Sequence, residues 1–107
     1  MKKINIAYDY EYDDIADKLT VAGEVDIVCV PDYICENLEQ KVQEFFDWTD
    51  TPDSGCCKEI NGKEVCCVAA EDFVRWINQN YSGLEDQPAF IAEKFAEYDP
   101  QYPTAEF

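Results

Sequence analysis

Six cysteines and a surplus of carboxylates are the residues of this chain with chemistry to offer, and no histidine accompanies them. Four of the cysteines come as adjacent pairs, Cys56-Cys57 and Cys66-Cys67, on either side of Asn61-Gly62. Asn-Gly between two short runs is a strong hairpin signal, because both central residues of a type I′ turn need positive φ. In that hairpin Ile60 opposes Lys63, Cys57 opposes Cys66 and Cys56 opposes Cys67. Neighbouring side chains on a strand point to opposite faces, so the four sulfurs divide between two faces and cannot close around one ion. Structural zinc sites curl the chain by placing two to four residues between paired cysteines, a spacing missing here. A site drawing two hairpin sulfurs together with Cys29 and Cys35 is the remaining zinc arrangement. Cys57 and Cys66 stand close enough across the ladder for a disulfide, but a reducing compartment opposes it. The reading adopted is that most of these cysteines are small core residues, with no metal and no cofactor.

Catalysis finds little support. Without histidine there is no Cys-His or Ser-His pair, and a thiol needs an activating base or a cationic pocket. The chain has one Arg and seven Lys against 24 Asp and Glu. No Gly-rich phosphate loop and no metalloprotease motif is present. The expectation is a non-enzyme.

The carboxylates have a pattern of their own. Asp9, Glu11 and Asp13 alternate with Tyr8, Tyr10 and Tyr12, followed by Asp14. On a strand, alternate carboxylates sit about 6.8 Å apart, twice the rise per residue. A second row, Asp32, Glu36, Glu39 and Asp47, follows helical spacing, where neighbours three or four residues apart lie about 5–6 Å from each other. Both spacings are of the order of phosphate spacing along a nucleic-acid strand. Tyr8, Tyr10, Tyr12 and Trp48 stand at the rim of these rows as aromatic anchors, the residue types that dominate protein interfaces. The competing reading of both rows is a solvated face.

The elements that must position these rows follow from periodicity. Residues 3–13 alternate as a half-buried strand, with Ile4 and Ile6 on one side and Lys3, Asn5 and Ala7 on the other. Residues 15–22 fit a strand or a short helical turn. Val25 to Val30 is a core strand. Pro31-Asp32 opens a helix over 32–48 with Ile34, Cys35, Leu38, Val42, Phe45 and Phe46 on its apolar face. The hairpin occupies 56–67. A second helix over 70–80 buries Phe73, Trp76 and Ile77. A third over 87–98 turns Phe90, Ile91, Phe95 and Tyr98 inward, and Pro100 and Pro103 stop it, leaving an aromatic tail to Phe107. The predicted fold is one α+β domain, residues 1–107, with a small mainly antiparallel sheet (N-terminal strands plus the hairpin) and three helices on one face.

Composition bounds the function. The net charge is −16 and the sequence pI about 4.1, yet 47% of residues are hydrophobic and 14% aromatic. That apolar content offsets the entropy of ordering, so the acid belongs to a folded domain and not to a solvating tail. Residues 56–68 are charge-neutral, with two Lys against two Glu. Direct binding of nucleic acid or an anionic membrane is excluded in expectation, since phosphates need Lys and Arg opposite them. The partner expected is a basic protein surface, a nucleic-acid-binding channel in particular. Met1-Lys2-Lys3 is followed by no apolar run, so the expected location is cytoplasmic.

Size, net charge, the missing catalytic residues and the run Tyr8-Asp9-Tyr10-Glu11-Tyr12-Asp13-Asp14 together resemble a functional class, the small acidic inhibitor proteins of phages and mobile elements. Anti-CRISPR and anti-restriction proteins belong to it, and many are DNA mimics. The resemblance lies in whole-chain character and not in a motif. It implies a partner-binding set of Asp9, Glu11, Asp13, Asp14, Asp32, Glu36, Glu39, Asp47, Tyr10 and Tyr12. The alternative expectation is a non-catalytic regulatory module docking on a basic surface of a larger complex.

Overall fold

A computed structural model describes the backbone of residues 1–8, 11–13, 18–20, 23–60, 62–66, 68–81 and 88–107, and the side chains of the same residues except 11–13, 18–20, 53, 57–60 and 63–66. The fold is α+β, organised on a four-stranded sheet. Its centre is β1 (Lys2–Ala7) paired antiparallel with β4 (Val25–Val30), Ile4 opposite Val28 and Ile6 opposite Asp26. Between them in sequence lies a two-stranded ribbon, β2 (Glu11–Asp13) with β3 (Lys18–Thr20). Residues 18–20 of the ambiguous 15–22 segment are therefore strand.

The helices lie on one face of the sheet. α1 (Asp32–Glu36) and α2 (Leu38–Thr49) replace the single helix expected over 32–48. The break is Asn37, whose φ of −125° and ψ of 37° depart from helical values. Its side-chain amide donates to the carbonyl oxygen of Tyr33 at 3.3 Å, while its own carbonyl accepts the N–H of Lys41. Asparagine does this readily, because its short amide competes with the backbone for partners. The apolar face is as expected: Ile34 and Phe45 are buried, with Cys35, Leu38, Val42 and Phe46 packed beside them.

After a 3-10 turn (Pro52–Ser54), β5 (Cys57–Ile60) and β6 (Lys63–Cys66) form the expected hairpin, Cys57 opposite Cys66 and Ile60 opposite Lys63. Gly62 holds the turn at φ +78°. The hairpin is a ribbon of its own and does not join the main sheet. Cys29 and Cys56 are buried, Cys35 is half-buried, and all three are free thiols. α3 (Ala70–Tyr81) begins where Asp72 reaches back to accept the N–H of Ala69 at 3.0 Å, one half of a capping box. Phe73, Trp76 and Ile77 are buried as expected. Phe45 is the hub of the core, its ring 5.0 Å from Phe73, 5.8 Å from Trp76 and 5.3 Å from Phe107. Such ring pairs add about 0.5–1.5 kcal/mol each beyond the burial itself.

The third helix is not there. Within 87–98 the chain forms β7 (Phe90–Glu93), antiparallel to β4, and then runs irregularly. Two contacts account for this. The Asn78 side chain accepts the N–H of Ala89 at 2.8 Å and donates to its carbonyl at 3.1 Å, which fixes an extended entry. The open edge of β4 then supplies strand pairing, and tertiary pairing overrides the helix propensity of Ala, Glu and Lys. Phe90, Phe95 and Tyr98, expected inward, are exposed.

β7 and the last strand, β8 (Thr104–Glu106), are the two edges of the sheet, order β7-β4-β1-β8. β8 pairs parallel with β1, and both edges run in the direction of β1. Residues 94–103 therefore cross from one edge to the other. They cover the sheet face opposite the helices, where Asn5 lies fully buried. Asn5 was expected on the solvated side of the first strand; the crossing segment buries it. Its amide donates to the carbonyls of Asp99 and Tyr102 at 2.8 and 3.1 Å, and its oxygen accepts the N–H of Asp99 at 3.2 Å. The aromatic tail docks as expected, with Phe107 stacked on Phe45 at 26° between planes. Among the described residues no helix is long and apolar enough to cross a membrane.

Candidate functional site

The helical acid row is where the structure places candidate residues most clearly. Asp32 and Glu36 lie on α1, Glu39 and Asp47 on α2, and all four are exposed. Their exposure follows from the apolar face: anchoring Ile34 and Phe45 in the core turns the opposite side of each helix outward. Asp32 has the Met1 amine at 3.2 Å, and Asp47 accepts a hydrogen bond from Gln43 at 3.1 Å. Because of the break at Asn37, the row is carried by two helices instead of one. The strand row is only partly visible. Glu11, Tyr12 and Asp13 are on β2, where their backbone is described and their side chains are not. Asp9, Tyr10 and Asp14 lie outside the described residues.

Three cations of the described residues are engaged by carboxylates other than these. Lys41 donates to Glu44 at 3.2 Å and to the Tyr81 hydroxyl at 2.9 Å. The Tyr81 bond holds the Lys41 ammonium above its ordinary range, and the bond from Lys41 holds the Glu44 carboxyl below its own. Arg75 donates to Asp72 at 3.1 Å and to the carbonyl of Ser54, with its guanidinium 5.0 Å from the Trp48 ring centre. Lys94 is ion-paired with Glu71. Glu36, Glu39 and Asp47 carry no ion pair among the described residues.

Two expected rim anchors turn out to serve the interior. Tyr8 stands edge-on to Phe107 at 6.1 Å and hydrogen-bonds Asp26, while Trp48 packs on Phe45 and Arg75. Among the described residues the exposed aromatics are Phe90, Phe95 and Tyr98, which sequence reasoning assigned to a helix core. Phe95 has φ +53°, in the left-handed region, and its N–H is held by buried Asp26. The Cys56 thiol is pushed up chiefly by burial, against its hydrogen bond with Ser54 and the nearby Arg75, so its surroundings disfavour the thiolate. Among the described residues no three Cys, Asp or Glu side chains gather as a metal site. No family model, curated protein or solved structure matches the chain.

Proposed function

We propose that this protein acts by binding, as an acidic inhibitor whose carboxylates occupy a channel that otherwise holds nucleic-acid phosphates. The defence proteins countered by anti-CRISPR and anti-restriction inhibitors are the target class. One observation carries the reading: three cations of the described residues, Lys41, Arg75 and Lys94, are taken up locally by Glu44, Asp72 and Glu71, while Glu36, Glu39 and Asp47 stand outward without an ion pair among the described residues. A chain with a net charge of −16 attracts a basic surface at long range, and the carboxylates on its packed helices present oxygens that Arg can grip in pairs. Strand carboxylates Glu11 and Asp13 extend the same chemistry. In this reading the protein is a binder and not an enzyme.

The test is competition. A target bound through its phosphate channel releases labelled DNA or RNA as this protein is added, and the two never occupy it together. A ternary complex of target, nucleic acid and protein overturns the mimic. It favours instead a regulatory module docked elsewhere on a basic complex, a reading to which the exposed aromatics of residues 90–98 lend support.

A further inference from the structure

Three aromatic side chains are exposed within one short stretch: Phe90 is 44% exposed, Phe95 73% and Tyr98 55%. The backbone at Phe95 makes this more than chance exposure. A non-glycine residue at φ +53° is strained by roughly 1–2 kcal/mol. Burial of its ring does not offset that strain, since the ring faces solvent. Its conformation is instead imposed from below: Asp26 Oδ1 accepts the Phe95 N–H at 3.0 Å, and the next residue, Ala96, donates to the carbonyl of Val25 at 2.7 Å. Strain held in place by a buried carboxylate, with an aromatic ring displayed outward, points to a role for the ring.

Charge selects the occupant. Glu93 and Glu97 are exposed on the same stretch without an ion pair among the described residues, and its one cation, Lys94, is tied to Glu71. A second copy of a chain carrying −16, an anionic bilayer or a nucleic acid would each meet like charge. A cationic protein segment would not. Between the two cations, arginine fits better, because its planar guanidinium stacks on an aromatic face while its N–H groups reach a carboxylate. The chain holds its own Arg75 in this manner, over Trp48 with Asp72 at 3.1 Å.

We infer that Phe95 and Tyr98, flanked by Glu93 and Glu97, form a docking surface for an arginine-bearing segment of a partner protein. The inference rests on the reading of this chain as a binder of basic proteins but uses a surface other than the helical acid row. The probes are two short synthetic peptides of equal length and charge, one alternating Arg with Ser and one Lys with Ser, titrated at physiological salt. The parent protein binds the Arg peptide about 5-fold more tightly than the Lys peptide, the scale of an exposed cation–π contact. In the double variant F95G/Y98A the preference vanishes and Arg-peptide affinity drops to the Lys-peptide level. Gly at position 95 relieves the positive φ and keeps the N–H that Asp26 holds, so F95G alone melts no lower than the parent. Lys substitutions at Glu36, Glu39 and Asp47 weaken both peptides by one factor and leave their ratio unchanged, which separates this surface from the acid row. Equal affinities in the parent, or a preference that survives F95G/Y98A, overturn the inference. So does a dimer in sedimentation, or binding to phosphatidylserine vesicles, that F95G/Y98A abolishes.

Discussion

Tyr8, the residue just after β1, reaches Asp26 on β4, its phenol donating to Oδ2 at 2.8 Å. The same phenol oxygen accepts the N–H of Ala70 at 2.6 Å, and the other carboxylate oxygen holds Phe95. This pair of half-buried Tyr8 and buried Asp26 thus joins the end of the first strand, the N-terminus of α3 and the start of the crossing segment. Buried carboxylates persist where their oxygens are satisfied, and both oxygens are satisfied here.

Replacing Tyr8 with Phe leaves the Ala70 N–H without an acceptor and one Asp26 oxygen without its donor. The expected cost is about 2–3 kcal/mol by chemical denaturation. A pH signature accompanies it. Burial, and then the bond to Asp26, push the Tyr8 phenol far above its ordinary value of 10.0. The unfolded phenol ionises near that ordinary value while the folded one stays protonated. The stabilisation is therefore complete below about pH 10 and is lost as pH rises further. The stability gap between parent and Tyr8→Phe is constant up to about pH 9 and narrows as pH rises past about 10. A gap that stays constant would show that Tyr8 ionises alike in both states.

Asn5 gives a second, separable test. Truncation to Ala strips partners from the carbonyls of Asp99 and Tyr102 and from the Asp99 N–H. We expect a loss of about 2–3 kcal/mol, or on the order of 10 °C in Tm for a domain of this size. Amide exchange accelerates first in residues 94–103, because Asn5 pins that segment and not the β1–β4 ladder. Asn5→Asp is worse than Ala at neutral pH, since a buried carboxylate would meet two carbonyl oxygens. It recovers in part on acidification, when the new carboxyl gains a proton to donate. Equal exchange across the whole molecule would mean that the segment is not an independent unit.

These same residues show what periodicity reveals and what it hides. Val25 to Val30 and the Phe73-Trp76-Ile77 face are local apolar patterns, and the Cys57–Cys66 register follows from the local Asn61-Gly62 turn signal, so each is legible without a distant partner. Alternation at Ile4-Asn5-Ile6 says that two faces differ; it does not say that a distant segment covers the second one. Residues 87–98 carry helix formers and roughly helical apolar spacing, while the contacts that decide against a helix come from Asn78 and the edge of β4. For the site the outcome splits likewise. Exposure of Asp32, Glu36, Glu39 and Asp47 follows from helical period alone. Exposure of Phe95 depends on Asp26, far away in sequence, and had no local signal.

The hairpin offers a control. Gly62 sits at φ +78°, so Gly62→Ala costs about 1 kcal/mol, and pairing it with Asn61→Ala costs at least as much. Partner binding is expected to hold, because residues 56–68 carry no net charge. Chelator treatment is expected to leave Tm unchanged, whereas a structural zinc site would contribute on the order of 10 kcal/mol of folding energy. Stoichiometric zinc by elemental analysis, with unfolding on chelation, would reverse the reading of these cysteines as core thiols.

The acid row supplies the decisive test of function. Lys substitution at Glu36, Glu39 and Asp47 places cations where the target channel already has Lys and Arg, so binding weakens through lost complementarity and through like-charge contact. Each exposed charge pair is worth up to about 1 kcal/mol, so three reversals together reduce affinity on the order of 100-fold or more. Reversing Glu11 and Asp13 does the same if β2 also enters the channel, while reversals at Glu59 and Glu64 on the neutral hairpin change binding little. Raising salt weakens the parent steeply and the reversed variant less, because screening over about 8–10 Å removes attraction that the variant no longer has. Folding moves the other way. The three carboxylates make no ion pair among the described residues, and removing negative charge from a −16 chain relieves self-repulsion, so Tm holds or rises. Binding loss with Tm retained is the pattern that a recognition surface produces and a solvated face does not. A variant that binds the target as tightly as the parent at every salt concentration would assign the row to solvation, and the interface would have to lie elsewhere on the molecule.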